Sequence, residues 1–90
     1  MYSLRFESRA VTRALSRLPV VDRLRIEAAI EQLQHEPRPP GIIALGAGIY
    51  RLRVGRYRVI YAVDDDLAEV AIGEVAPRNE RTYRNWQDLF

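Results

Sequence analysis

The stretch from Ile49 to Tyr61 constrains this chain more than any other. Tyr50-Arg51-Leu52-Arg53-Val54 alternates apolar with charged residues, and Tyr57-Arg58-Val59-Ile60-Tyr61 alternates again. Between them stands Gly55-Arg56, a two-residue loop with glycine where a primed hairpin turn needs positive φ. Such a loop fixes the pairing: Val54 faces Tyr57, Arg53 faces Arg58, Leu52 faces Val59, Arg51 faces Ile60 and Tyr50 faces Tyr61. Side chains alternate between the faces of a sheet. Tyr50, Leu52, Val54, Tyr57, Val59 and Tyr61 therefore share one face, which is apolar enough to be a core.

The other face carries Arg51, Arg53 and Arg58, with Arg53 directly across from Arg58. Like charges opposed across a ladder destabilise it by about 0.2–1 kcal/mol, and no acidic residue stands between Glu36 and Asp64. Two readings of the spacing are open. The arginines form a solvated surface, or they serve an anion from outside, for which guanidinium forks fit phosphate best.

At 90 residues the chain suits one domain, residues 1–90, with a single core. It has no cysteine, which excludes a disulfide framework or a thiolate metal site, and its one histidine, His35, excludes His-rich zinc chemistry. No cofactor is expected. The N-terminus enters a strand-like pattern with no signal-peptide core, and no apolar run approaches the ~20 residues that span a bilayer. The expectation is a soluble cytoplasmic protein. The net charge is only +2, yet all 14 basic residues are arginine. Their distribution matters more than their total: residues 51–58 hold four and residues 78–84 three. Local basic stripes are the footprint of a nucleic-acid binder.

Tyr2, Leu4 and Phe6 alternate with polar residues as a short half-buried strand. Ser8 is placed to cap a helix whose stripe is Ala10, Val11, Ala14, Leu15 and Leu18, with Arg9, Arg13 and Arg17 on its solvated side. Leu18-Pro19 ends it. A second helix runs from about Val21 to Gln34 on the stripe Ile26, Ile30 and Leu33, with Leu24 and Ala29 beside it. His35, at the helix end, is explained by the carbonyl-rich terminus. Glu36-Pro37-Arg38-Pro39-Pro40-Gly41 reads as a stiff connection, and the glycine-broken Ile42–Gly48 stretch as a segment tucking Leu45 under the sheet.

Asp64-Asp65-Asp66 reads as a solvated turn, since adjacent carboxylates at a hairpin tip do not converge on one ion. Glu69–Val75 supplies the last strand. Asn79 is placed to cap a short final helix, with Tyr83, Trp86, Leu89 and Phe90 available to pack back, and Arg78 to point over the sheet's end. The expected fold is α+β: a small antiparallel sheet, made of the N-terminal strand and a three-stranded meander, packed on an N-terminal helical hairpin. The arginine face is expected to stay open, bordered by the C-terminal helix.

The run Tyr50–Tyr61 resembles the signature hairpin of the RelE/ParE toxin superfamily. The element order, the Leu18-Pro19 break and the Glu36-Pro37 break before Leu45-Gly46 resemble it as well, so the likeness covers essentially the whole chain. It implies the toxin of a type II toxin–antitoxin system, neutralised by a cognate antitoxin that wraps the sheet and helices. In the RelE branch it implies a ribosome-dependent endoribonuclease, metal-independent, that cleaves messenger RNA in the ribosomal A site. The matching basic and tyrosine positions are Arg51, Arg53, Arg58, Arg78 and Tyr83. ParE-like toxins share the fold but poison DNA gyrase without catalysis, and generally lack that set. A non-toxic relative that only binds an antitoxin-like partner is the third reading.

Cleavage of RNA by its own 2′-hydroxyl needs that proton removed, charge on the pentacoordinate phosphate offset, and the 5′-oxygen protonated. Arginines supply the second need. Tyr83, with an ordinary pKa near ~10, moves a proton only if neighbouring arginines lower it; otherwise it stacks on a base. Two features depart from the RelE pattern. Arginines replace the lysines common in the first hairpin strand, and arginine is a poor base, which leaves His35, Glu80 and Tyr83 as candidates. The Ile42–Gly46 segment also lacks the basic residues common there.

Overall fold

A computed structural model describes residues 1–79 and 86–90. The order of elements is β1 (Ser3–Phe6), α1 (Arg9–Ser16), α2 (Val20–Gln32), β2 (Ile43–Gly46), β3 (Ile49–Val54), β4 (Tyr57–Asp64), β5 (Glu69–Pro77) and a 3-10 turn at Trp86–Leu89. The strands form one sheet in the order β1-β5-β4-β3-β2. Asn79 lies just before residues 80–85, so the helix start expected there, and Glu80 and Tyr83 with it, fall outside the described residues.

The hairpin register is the one the loop length dictates, from Val54↔Tyr57 through Arg53↔Arg58 to Tyr50↔Tyr61. Gly55 has φ +59, the positive value a primed turn requires at its first central position. Tyr57, Val59 and Tyr61 are buried, with Tyr50, Leu52 and Val54 packed against the same cluster. Val11 and Leu15 of α1, Ile26 and Ile30 of α2 and Leu33 just past the end of α2 close that core from one side. Leu24, expected beside the α2 stripe, is instead exposed, along with Val20 and Val21. Ser8 does occupy the N-cap of α1, in extended backbone, but its side chain makes no capping bond.

Two expectations about the sheet need correction. Ile43–Gly46 is not a tucked coil but an edge strand, antiparallel to β3 through Ile43↔Arg51 and Ala44↔Tyr50. The glycines that seemed to break the segment form the tight turn into β3, where Ala47 and Gly48 both have positive φ. The sheet is also mixed, because β1 pairs with β5 in parallel, Ser3↔Glu69 to Phe6↔Ile72. Parallel pairing needs a long crossover, and everything from α1 to β4 lies between the two strands. Alternation within a strand encodes its faces, not its direction.

At the end of the sheet away from the Gly55 turn, the stiff connection is anchored to the acidic turn. Arg38 grips Asp65 with Nη1 at 3.2 Å and Nη2 at 2.8 Å, and its Nε donates to the Tyr50 hydroxyl at 2.9 Å. The Tyr2 hydroxyl donates to Asp65 Oδ1 at 2.6 Å, and the Tyr61 hydroxyl to the Pro37 carbonyl at 2.7 Å. Arg38, then the Tyr2 hydroxyl, hold the Asp65 carboxyl below the usual carboxylate range. Asp64 accepts from the Leu67 amide at 3.0 Å, so one aspartate organises the turn and another ties it to Arg38 and Tyr2.

Candidate nucleic-acid interface

The arginine face is less open than its sequence suggests. Ile49, Ile60, Ala71 and Ala76, all on that side of the sheet, are buried. A Cβ built on Gly73 would lie 2.5 Å from Phe90 Cζ, so the C-terminal ring sits directly on the bare backbone of β5. The four arginines that can be placed differ sharply in their surroundings.

Arg58 is the surprise. It is 2 % exposed, and its Nε donates to Glu74 Oε2 at 3.0 Å while Nη1 donates to the Pro77 carbonyl at 3.0 Å. Sequence reasoning looked for a counter-charge before Asp64 and missed Glu74. The strand pattern hides it: Val70 and Ile72 point into the core, so simple alternation sends Glu74 there too. A register shift intervenes, since Ile60 faces Glu74 but Tyr61 faces Ile72. Gly73 is the extra residue of the bulge, which turns Glu74 to the arginine face and Val75 back into the core.

Arg51 is half-buried, and its Nε is buried with no hydrogen-bond partner among the described residues. Arg53 and Arg78 are exposed. Arg78 is brought to the hairpin by its own backbone, since its amide donates to the Arg56 carbonyl at 2.8 Å, one residue past Gly55. Beside it a shallow depression of about 430 Å³ is lined by Arg56, Tyr57, Pro77, Arg78 and Asn79. The Tyr57 hydroxyl donates to Asp22 Oδ2 of α2 at 3.0 Å. Burial first, and Asp22 second, raise the Tyr57 pKa. Arg56 reaches the same carboxylate at 3.9 Å with its side chain 83 % exposed. Arg25 of α2 lays its guanidinium against Gly55, with Nη1 3.1 Å from where a Cβ would stand.

Arg53, Arg56, Arg78 and Arg25 thus converge on one end of the sheet. Arg25 and Asp22 escaped the sequence reading because helical periodicity says only that a residue faces outward, not which turn it covers. His35 lies beyond the C-terminal end of α2, whereas Asp22 and Arg25 at the start of the helix reach the hairpin tip, so it does not join this cluster. No helix among the described residues is long and apolar enough to cross a membrane.

A small mixed sheet with two helices on one face is a fold that known proteins share. The family model described as the ParE toxin of type II toxin–antitoxin systems, parDE, matches residues 12–82. The chain belongs to that family, within the RelE/ParE superfamily, and is the toxin component of a type II toxin–antitoxin system. Among solved structures, the archaeal RelE–RelB complex from Pyrococcus horikoshii OT3 is similar at 32% identity and a TM-score of 0.79, covering 89% of this chain and 98% of that one. The toxin–antitoxin complex RelBE2 from Mycobacterium tuberculosis is 30% identical with a TM-score of 0.73, covering 86% and 98%. The isolated E. coli RelE toxin, at 21% identity, a TM-score of 0.76 and coverage of 91% and 88%, shares the fold. A search of curated protein sequences found no match.

Proposed function

We propose that this toxin is a ribosome-dependent endoribonuclease that cleaves messenger RNA in the ribosomal A site, acts in the cytoplasm and is held inactive by a cognate antitoxin. The observation that carries this reading is the convergence of Arg53 and Arg78, both exposed and without an acidic partner among the described residues, at the Gly55 turn. Guanidinium groups at that spot offset charge on a phosphate that becomes pentacoordinate during attack by the 2′-hydroxyl. Arg51 backs them from within the sheet. Arg58, fixed by Glu74 and the Pro77 carbonyl, holds β4 and β5 in place beneath them. Tyr83 completes the proposed set as a stacking or proton-transfer group, with Glu80 or Tyr83 as the base. Catalysis on this reading needs no metal.

Family membership under a ParE description favours a second reading, a non-catalytic inhibitor of DNA gyrase. The commitment of Arg58 to Glu74 is compatible with it, because that arginine is then structural rather than a phosphate ligand. One experiment separates them: purified toxin is added in parallel to gyrase supercoiling reactions and to ribosomes translating a defined message. The nuclease reading expects new message ends and unimpeded supercoiling. Inhibited supercoiling with intact messages overturns it in favour of the second.

A further inference from the structure

On the reading that the hairpin tip meets RNA, we propose that Arg25 of α2 is a further phosphate-binding residue of that site, approaching from the side opposite Arg53. The guanidinium of Arg25 lies across the Gly55 turn, its Nη1 3.1 Å from the position of a glycine Cβ. The turn residue is glycine because of its φ of +59, and its bare backbone lets the tip of Arg25 come close. The result is a saddle whose crest is bare at Gly55, with the exposed Arg56 beside it. Arg53 stands on one flank, with Arg78 at its edge through the bond to the Arg56 carbonyl, and Arg25 stands on the other.

The acids nearest Arg25 in sequence are already engaged. Asp22, one helical turn earlier, accepts from the Tyr57 hydroxyl and faces Arg56, and Glu27 pairs with Arg23 at 3.6 Å. Among the described residues Arg25 has neither an ion pair nor a hydrogen-bonded partner. An exposed arginine lying against bare backbone with its fork unmatched suits a phosphate of a strand crossing the saddle. Arg17, on the solvated side of α1, has no such setting and serves as the control.

The test is the salt dependence of binding. The full chain and its Arg25→Ala, Arg25→Lys, Arg17→Ala and Arg78→Ala variants are titrated by fluorescence anisotropy with a short single-stranded RNA whose 2′-O-methyl groups prevent cleavage. Each phosphate contact to a single strand contributes about 0.7 to the slope of log affinity against log salt. Arg25→Ala is expected to lower that slope by about 0.7 with an unchanged melting temperature, Arg25→Lys to retain it as a point charge, and Arg17→Ala to match wild type. An Arg25→Ala slope equal to wild type overturns the assignment. If Arg78→Ala lowers the slope in that same experiment, the RNA site stands without Arg25. Absence of salt-dependent binding by the wild-type protein overturns both.

Discussion

Replacing Arg58 with alanine tests the interior of the interface and shows how its arginines should be read. The substitution leaves the Glu74 carboxylate, with its side chain 13 % exposed, facing a void, and removes the donor to the Pro77 carbonyl. Breaking a buried ion pair from one side costs about 3–5 kcal/mol; the partial hydration open to Glu74 puts this case near about 3 kcal/mol. With a urea m-value near about 1 kcal/mol/M for so short a chain, the unfolding midpoint falls by about 3 M. Replacing both partners together, Arg58→Met with Glu74→Leu, removes the orphaned Glu74 charge and should recover more than half of that loss. Urea titration followed by circular dichroism measures all three proteins. An Arg58→Ala midpoint within about 0.5 M of wild type, well under the loss expected of a broken buried pair, refutes the argument. Loss of growth arrest in Arg58→Ala is therefore ambiguous, whereas Arg53→Ala and Arg78→Ala, at exposed positions, leave stability within about 0.5 kcal/mol and report on function.

Gly73→Ala should evict the Phe90 ring from its seat and lower stability by about 1–3 kcal/mol, and the loss should largely vanish in a Phe90→Ala background; additive losses in that double-mutant cycle would show that the ring does not rest there. Asp65, whose carboxyl Arg38 and Tyr2 hold below its ordinary value, contributes stability that is present above the unfolded carboxylate pKa near ~4 and disappears as pH falls through the lower folded value. Wild type should accordingly exceed Asp65→Asn in stability at neutral pH and lose that advantage in acid, as chemical denaturation across the pH range would record; a gap that persists or widens in acid contradicts the assignment. Tyr57→Phe removes the hydrogen bond to Asp22 that ties β4 to the start of α2, and a loss of about 1.5 kcal/mol is expected in the same denaturation assay.

The hairpin was legible because two signals agree there: a two-residue loop fixes the register, and alternation, broken only at Ile60, fixes the faces. The helical stripes Val11–Leu15 and Ile26–Ile30–Leu33 were legible for the same reason, a repeat long enough to name a buried side. What escaped the sequence were features that break a period or join distant elements. The Gly73 bulge reverses the faces of β5 within one residue, so alternation along the strand does not announce Glu74 as the partner of Arg58. β2 was disguised by glycines that belong to its turn. The parallel pairing of β1 with β5 carries no local mark. Asp22 and Arg25 reach the hairpin tip only because α2 begins beside it, and no spacing within α2 announces that. Arg53 and Arg78 were both singled out from sequence, and the backbone bond from Arg78 to Arg56 brings them to one end of the sheet.

The nuclease reading rests on a chemical requirement simple enough to remove: the attacking 2′-hydroxyl belongs to the substrate. Ribosomes are programmed with a message carrying a single 2′-deoxynucleotide at the cleaved position in the A site, and compared with the all-ribose message after addition of the toxin. The account expects the ribose message to be cut, leaving a 2′,3′-cyclic phosphate, and the deoxy-substituted message to stay whole. An uncut ribose message, or a cut indifferent to the missing hydroxyl, contradicts it.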